Sequence, residues 1–438
     1  MGREEVRADT AEAAPAFSYT RIFWIGIGFL GITVALVTYD AFVPLLLREF
    51  IDSRAAIGAI MGLDNLIGLL LIPVIGAWSD RIEGRLGRRL PFILVGLPIA
   101  ALSFALIPIA AFSLPTLIIT SIVFATAIQG YRGPVVSLMP DHTPPPKRPA
   151  ANGIVNLLGG IGGLIALGGL SWLYDIDPRL TFGAGAMIML LTLLIVWRAS
   201  LRAPPYVGHD TPAHTHALRT ALAAFTGLLR HGQRGTRRIL LGMLAYYIGF
   251  AGIDALFPIY AVETLGLSEG RAAFLLSAFA LAFVAFAVFA GIVGNRYGAL
   301  PSILVALAVM PLVLLSAVPV TDPRVLAGIL VLAGMTWAVV NVQAVPIVAN
   351  LGGSTRIGLL VGLYYTFTML GQMIGPALIG GFMDLFGNRG LFVGGAIAYA
   401  AGFILILRGR RALKEDGAMA AAGVEADRVA DPPPPTPR

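Results

Sequence analysis

Four ionisable residues interrupt stretches that are otherwise apolar: Asp40, Asp64, Arg132 and Asp254. Each sits within a run long enough to cross a bilayer. Placing such a group near the bilayer centre costs roughly 2.5–3.5 kcal/mol on insertion scales, so each is a candidate for function. The chemistry they could perform is proton binding by a carboxyl and recognition of an anion or a hydroxyl by a guanidinium. All five histidines (His142, His209, His214, His216 and His231) fall in loops, so a protonatable group within the spans has to be a carboxylate. Asp40, Asp64 and Asp254 are therefore the proton-coupling candidates. Amides and tyrosines recur in the same runs and suit a polar, neutral solute held by hydrogen bonds and aromatic contact. The substrate-binding candidates are Asn65, Gln129, Arg132, Asn341, Gln343, Tyr364, Tyr365 and Gln372. Ordinary interhelical bonding competes with that reading for about half of the wider set, which also holds Tyr39, Asn156, Tyr246 and Tyr247.

These residues need elements that hold them inside a membrane. The chain has 438 residues, of which 57% are hydrophobic and 13% charged, too little charge for the surface of a water-soluble globule. Runs such as 104–126 and 274–293 contain no Asp, Glu, Lys or Arg. Runs of about 20 apolar residues span the hydrocarbon layer as helices, and the short alternating segments of a barrel are missing. Breaks at charges, prolines and glycines predict twelve spans: 22–47, 56–78, 91–112, 115–138, 151–173, 180–198, 238–262, 272–293, 300–319, 324–349, 357–382 and 390–408. The fold class expected is all-α, with an N-terminal tail over 1–21 and six-helix halves over 22–198 and 238–408. A central loop over 199–237 joins the halves, and a disordered tail covers 409–438. The polar start is expected to be an uncleaved tail and not a signal peptide.

The 31 basic residues set the orientation. With both tails and the central loop in the cytoplasm, 24 lie inside, 6 lie outside and Arg132 stays within a span. That is the positive-inside bias. The net charge of +7 thus reflects orientation and argues against nucleic acid. The expected location is the plasma (inner) membrane. Cysteine is absent, so thiol catalysis and Cys–zinc sites are excluded. No metal or other cofactor is expected, the cluster His209, His214 and His216 being read as a solvated loop.

The halves repeat. Tyr39-Asp40-Ala-Phe-Val-Pro44 matches Ile253-Asp254-Ala-Leu-Phe-Pro258, and Gly76-Ala-Trp-Ser-Asp80-Arg81 matches Gly291-Ile-Val-Gly-Asn295-Arg296. The separations are 36 residues (Asp40 to Gly76) and 37 residues (Asp254 to Gly291). Two parallel halves with a site between them are expected. Glycines crowd the corresponding spans 5 and 11 (Gly159-Gly160, Gly162-Gly163, Gly168-Gly169, Gly371, Gly375 and Gly380-Gly381), which suggests surfaces that slide as the halves rock.

Gly76-Ala-Trp-Ser-Asp80-Arg81-Ile-Glu-Gly84-Arg85-Leu-Gly87-Arg88-Arg89-Leu-Pro91 resembles the signature loop between helices 2 and 3 of the major facilitator superfamily. Asp80 stands at a helix C-terminus, where its charge opposes the dipole and calls for a basic partner. Gly76, Asp80, Arg81, Gly87, Arg88 and Arg89 are expected to form a conformational latch. The spelling Ser-Asp-Arg…Gly-Arg-Arg-x-Pro is similar to the branch holding sucrose/proton symporters and glycoside–pentoside–hexuronide cation symporters. Gln129-Gly-Tyr-Arg132, Ala151-Asn152 and Trp337-Ala-Val-Val-Asn341-Val-Gln343 agree with that branch. The resemblance implies proton-coupled symport of a sugar or glycoside by alternating access. A proton antiporter exporting amphipathic compounds is the alternative, and an enzyme is not expected. The paired aspartates of melibiose-type sodium symporters are missing, because Gly68-Leu-Leu-Leu-Ile72-Pro73 is apolar. The expected partners are a small-molecule substrate, protons and the bilayer, with the chain acting as a monomer.

Overall fold

The computed structural model describes residues 17–82, 84–201, 204–206, 233–351 and 357–430. Within them the secondary structure is helical, with no strand among the described residues. Twelve helices are long and apolar enough to cross a membrane. They are α1 (Tyr19–Arg48), α2 (Arg54–Arg81), α3 (Leu90–Ala110), α4 (Leu114–Asp141), α5 (Pro145–Tyr174), α6 (Pro178–Ala199), α7 (Arg234–Leu265), α8 (Glu269–Tyr297), α9 (Ala299–Ala317), α10 (Pro323–Asn350), α11 (Leu359–Phe386) and α12 (Gly390–Leu413).

Every expected span has its helix. Most helices extend a few residues further, to where a polar cap can satisfy the first free backbone N–H groups. Ser18 caps α1, Ser53 caps α2, Asp177 caps α6 and Asp322 caps α10. Two interruptions stand out. Gly62 separates the first turns of α2 from the rest, and α5 passes through a π-helical turn at Ile165–Leu170. After α12 the helix runs on to Ala430, whereas the sequence reading expects a disordered tail from 409. Ala418–Ala422 is rich in strong helix formers, which favours that continuation. The central-loop histidines 209, 214, 216 and 231 lie outside the described residues.

Each half packs on its own first helix. In the N-terminal half α1 carries α5 and α6, while in the C-terminal half α7 carries α11 and α12. The glycines of α5 and α11 make this close approach possible. A Cβ at Gly162 would press on the Leu30 carbonyl at 2.6 Å, and one at Gly375 on the Ile248 carbonyl at 2.6 Å. Two further glycines face the opposite half: Gly160 meets Val284 and Gly380 meets the Arg54 backbone. The expected sliding surface is therefore mainly a packing surface within each half. The halves touch along α1–α7, α2–α11 and α5–α8.

Candidate functional site

The site gathers where α1, α2, α4 and α7 approach one another. In α2 the backbone N–H of Asn65 donates to Asp64 Oδ1 at 2.5 Å, and its Nδ2 donates to the same oxygen at 2.7 Å. From α4, Gln129 Nε2 donates to the Asp64 carbonyl at 3.4 Å, and Arg132 Nη1 donates to Gln129 Oε1 at 3.5 Å. Gln129 fits because α2 has Gly68 opposite, where a Cβ would lie 3.0 Å from the amide carbon. Asp40, on α1, lies within electrostatic reach of Asp64, Asp254 and Arg132. The sequence-predicted ionisable residues thus share one region. With three carboxyls against one guanidinium, at least one acid has to be protonated, or neutralised by a cation, for the charges to approach balance.

The facing part of the C-terminal half is aromatic. Phe250 of α7 stacks flat on Trp337 of α10, with centroids 4.1 Å apart and planes at 1°. Tyr246, Tyr247 and Tyr399 meet the same indole edge-on. The hydroxyls of Tyr247 and Tyr364 lie 3.2 Å apart, and Asn341 Nδ2 donates to Tyr247 Oη at 3.5 Å. Asp254 lines a small apolar cavity with Phe250, Phe279, Met310, Phe392 and Tyr399. An amide and paired phenols thus sit beside a stacked indole.

The structure assembles some predicted residues and separates others. Asp64, Asn65, Gln129 and Arg132 form one hydrogen-bonded group with Asp40 in electrostatic reach; Asp254 is linked to it through Asp40 alone and lines the apolar cavity of the C-terminal half, while Asn341 and Tyr364 meet at Tyr247. Tyr365 contacts Tyr364 edge-on but is 54% exposed. Gln372 bonds the Thr368 carbonyl of its own helix. Gln343 is buried and donates to the Ala290 carbonyl at 2.7 Å, with Gly294 leaving room for its amide. It ties α10 to α8. The structure adds Phe250, Trp337 and Tyr399 to these residues; an indole in mid-span followed four residues later by Asn341 is the signal the sequence carries for them.

The loop after α2 has a basic centre, Arg89. Its Nη2 meets Asp80 at 2.6 Å, its Nε donates to Asp141 Oδ2 at 3.0 Å, and its Nη1 also bonds Ser79 Oγ. Asp80 therefore finds its partner within its own half. Gly87 takes φ 76°, a left-handed turn suited to glycine, and brings Arg89 back over the helix end. A Cβ at Gly76 would meet nothing within 4 Å, so packing here does not require a glycine. His142, next to Asp141, is buried. Its Nδ1 lies 2.8 Å from the Leu138 carbonyl, and its Nε2 accepts from the Leu201 N–H at 3.0 Å. Burial lowers its pKa below the ordinary value, against the opposing effect of the Leu138 bond.

At the opposite end from the termini, polar contacts join the halves. Glu263 of α7 accepts from Arg48 at 2.7 Å, Arg54 at 2.6 Å and Asn388 at 2.8 Å. Gly58 and Gly62 of α2 lie against the backbone at Pro376 and Met373 of α11.

Comparison with known proteins follows the same lines. The profile of the Major Facilitator Superfamily matches residues 23–268 and 239–429. An uncharacterized MFS-type transporter, YfkF, from Bacillus subtilis (strain 168) is 26% identical over 225 residues, covering 50% of this chain and 54% of YfkF. Human proton-associated sugar transporter A is 34% identical over 88 residues, covering 20% of this chain and 12% of that protein. The chain thus spans about half the length of the first relative and about an eighth of the second. Among solved structures, the nucleoside transporter NupG superposes with TM-score 0.69 at 12% identity, covering 90% of this chain and 99% of that one. A bacterial homologue of the human lysosomal transporter Spinster, in an inward-facing and occupied conformation, gives TM-score 0.67 at 17% identity, covering 89% and 95%.

Proposed function

The chain belongs to the Major Facilitator Superfamily, and we propose that within it the protein is a proton-coupled symporter for a sugar or glycoside, working by alternating access. The observation that carries the proposal is the chain of contacts from Asp64 through Gln129 to Arg132, with Asp40 in electrostatic reach of Asp64 and Arg132 and, on the other side, of Asp254. Coupling needs a group whose proton affinity changes with substrate occupancy and with the side to which the site opens. A carboxyl beside one guanidinium and two further carboxyls has that property, because small movements change which charges it feels.

The substrate reading rests on chemistry beside this group. Gln129, Asn65 and Arg132 supply donors and acceptors from one half. Trp337, Tyr247, Tyr364 and Asn341 offer aromatic faces and hydroxyls from the other. The name of the human relative, a proton-associated sugar transporter, supports the same direction over the 88 residues that align. With the termini in the cytoplasm of a plasma membrane, the end closed by Glu263, Arg48 and Arg54 is the outer one. The conformation described is then closed to the outside.

Accumulation and exchange in proteoliposomes test the proposal. Substrate is first found by thermal stabilisation of the purified protein against sugars, glycosides and lipophilic dyes. Asp254→Asn or Asp40→Asn abolishes uphill accumulation under an imposed proton gradient while keeping exchange down a gradient. If Asp40→Asn, Asp64→Asn and Asp254→Asn each still accumulate substrate uphill, these groups do not couple the proton.

A further inference from the structure

Two helix N-termini at the outer end are completed by an aspartate from the other half. The first free N–H groups of a helix carry partial positive charge and take a carboxylate well. In α2 they belong to Arg54 and Ala55, which donate to Asp384 Oδ1 at 2.8 Å and Oδ2 at 3.0 Å. The Ser53 hydroxyl donates to Asp384 Oδ2 at 2.8 Å. Asp384 lies at the far end of α11, in the C-terminal half. In α8 the Gly270 N–H donates to Asp175 Oδ1 at 2.8 Å, and the Ser268 hydroxyl donates to Oδ2 at 2.7 Å. Asp175 follows α5, in the N-terminal half.

The two arrangements are repeat copies. Helices α2 and α8 correspond between the halves, as do α5 and α11, and each cap has a serine followed within two residues by the donating N–H. Each half therefore lends one aspartate to the other. The backbones are close at both places: Gly380 of α11 lies on the Arg54 backbone, and Gly270 lies on the Ser171 carbonyl. At the same membrane face, Asp177 and Asp322 use the same chemistry within their own halves, accepting from the Arg179 and Arg324 N–H groups at 2.8 Å each.

We propose that Asp175 and Asp384 are a pair of reciprocal helix-cap latches that hold the outer end closed and part together when the halves rock open. Rocking separates α2 from α11 and α8 from α5. It then leaves both N-termini without their carboxylates until water replaces them. Asp177 and Asp322 stay with their helices throughout and are indifferent to the rocking. The proposal rests on alternating access as given above, and it is independent of substrate and coupling ion.

The chain lacks cysteine, so a single reporter serves. Met373→Cys places a thiol on α11 where it crosses Gly62 of α2. Its labelling by an impermeant maleimide from the outside reads opening of that crossing. Asn341→Cys, in the site, reads access from the cytoplasmic side in inside-out vesicles. Asp175→Ala and Asp384→Ala each raise labelling at 373 roughly three- to thirtyfold, the usual range for loss of a cap. Because the two caps are separate, the double variant multiplies the effects. Labelling at 341 falls only where the outer-open form becomes a sizeable share of the population. Ser268→Ala, which removes one bond to Asp175, acts in the same direction to a smaller extent. Asp177→Ala and Asp322→Ala leave both rates unchanged.

Equal labelling at 373 in wild type and in both latch variants overturns the proposal, as does an equal rise in the Asp177→Ala and Asp322→Ala controls. A rise at 373 in Asp384→Ala but not in Asp175→Ala also overturns it, because that is local loosening of the α2–α11 crossing without rocking. Proton-driven accumulation, measured separately, decides whether symport itself stands.

Discussion

Arg89 joins two acids of unequal burial, and that inequality predicts which pair holds the fold. The Arg89 side chain is 10% exposed, Asp141 12% and Asp80 40%. Breaking a buried pair by removing one partner strands the other charge and costs about 3 kcal/mol or more. A pair with one partner well exposed contributes about 0.5 kcal/mol, because water screens it. Arg89→Ala is therefore expected to destabilise by about 3 kcal/mol, nearly all of it through Asp141. Arg89→Lys recovers only part of this, since one ammonium cannot serve Asp80, Asp141 and Ser79 with the fork of a guanidinium. Unfolding in mixed micelles with rising dodecyl sulfate, run as double-mutant cycles, reads the two couplings. The Arg89–Asp141 cycle should give about 2–3 kcal/mol and the Arg89–Asp80 cycle less than about 1 kcal/mol. A larger coupling to Asp80 than to Asp141 would refute the reasoning and make Asp80 the structural anchor.

Other expectations follow from the same contacts. Asp80→Asn lowers transport while leaving insertion intact and stability within about 1 kcal/mol, because its contact with Arg89 is well exposed; wild-type turnover in that variant would end the latch reading of the loop. The neutral form of His142 accepts from Leu201, and burial lowers its pKa, so this tether is fully present above the unfolded value near pH 6.5 and is lost as pH falls through the lower folded value. Limited proteolysis after Leu201 should therefore quicken as the pH falls below about 6.5 in wild type, with the pH dependence gone in His142→Gln. Gly62→Val drives a side chain into the Met373 carbonyl and disfavours the outer-closed form by about 1–3 kcal/mol, read as faster outside labelling of a cysteine at position 373. Cysteines replacing Ile176 and Thr215 test orientation: the first should react with an impermeant reagent from outside and the second should not.

Much of the architecture is a property of the sequence alone. Twelve spans are legible because insertion is decided locally, by the hydrophobicity of about 20 consecutive residues. The repeat is legible because Asp40 with Gly76 and Asp254 with Gly291 keep nearly one spacing. The burdened charges Asp40, Asp64, Arg132 and Asp254 stand out because apolar neighbours make them costly. Partnership is another matter. Asp141, Glu263, Asp175 and Asp384 look like ordinary acids at the ends of spans. Only the packed helices reveal that Asp141 serves Arg89 from 52 residues away, that Glu263 joins α1 and α2 to α7, and that Asp175 and Asp384 complete helices of the opposite half. Gln343 reads as a ligand group in the sequence and becomes an interhelical tie because α8 places Ala290 and Gly294 against it. Hydrophobicity sums along the chain and can be read from it; which polar group meets which depends on the rotation and depth of two helices from distant segments, and that is decided only by their packing.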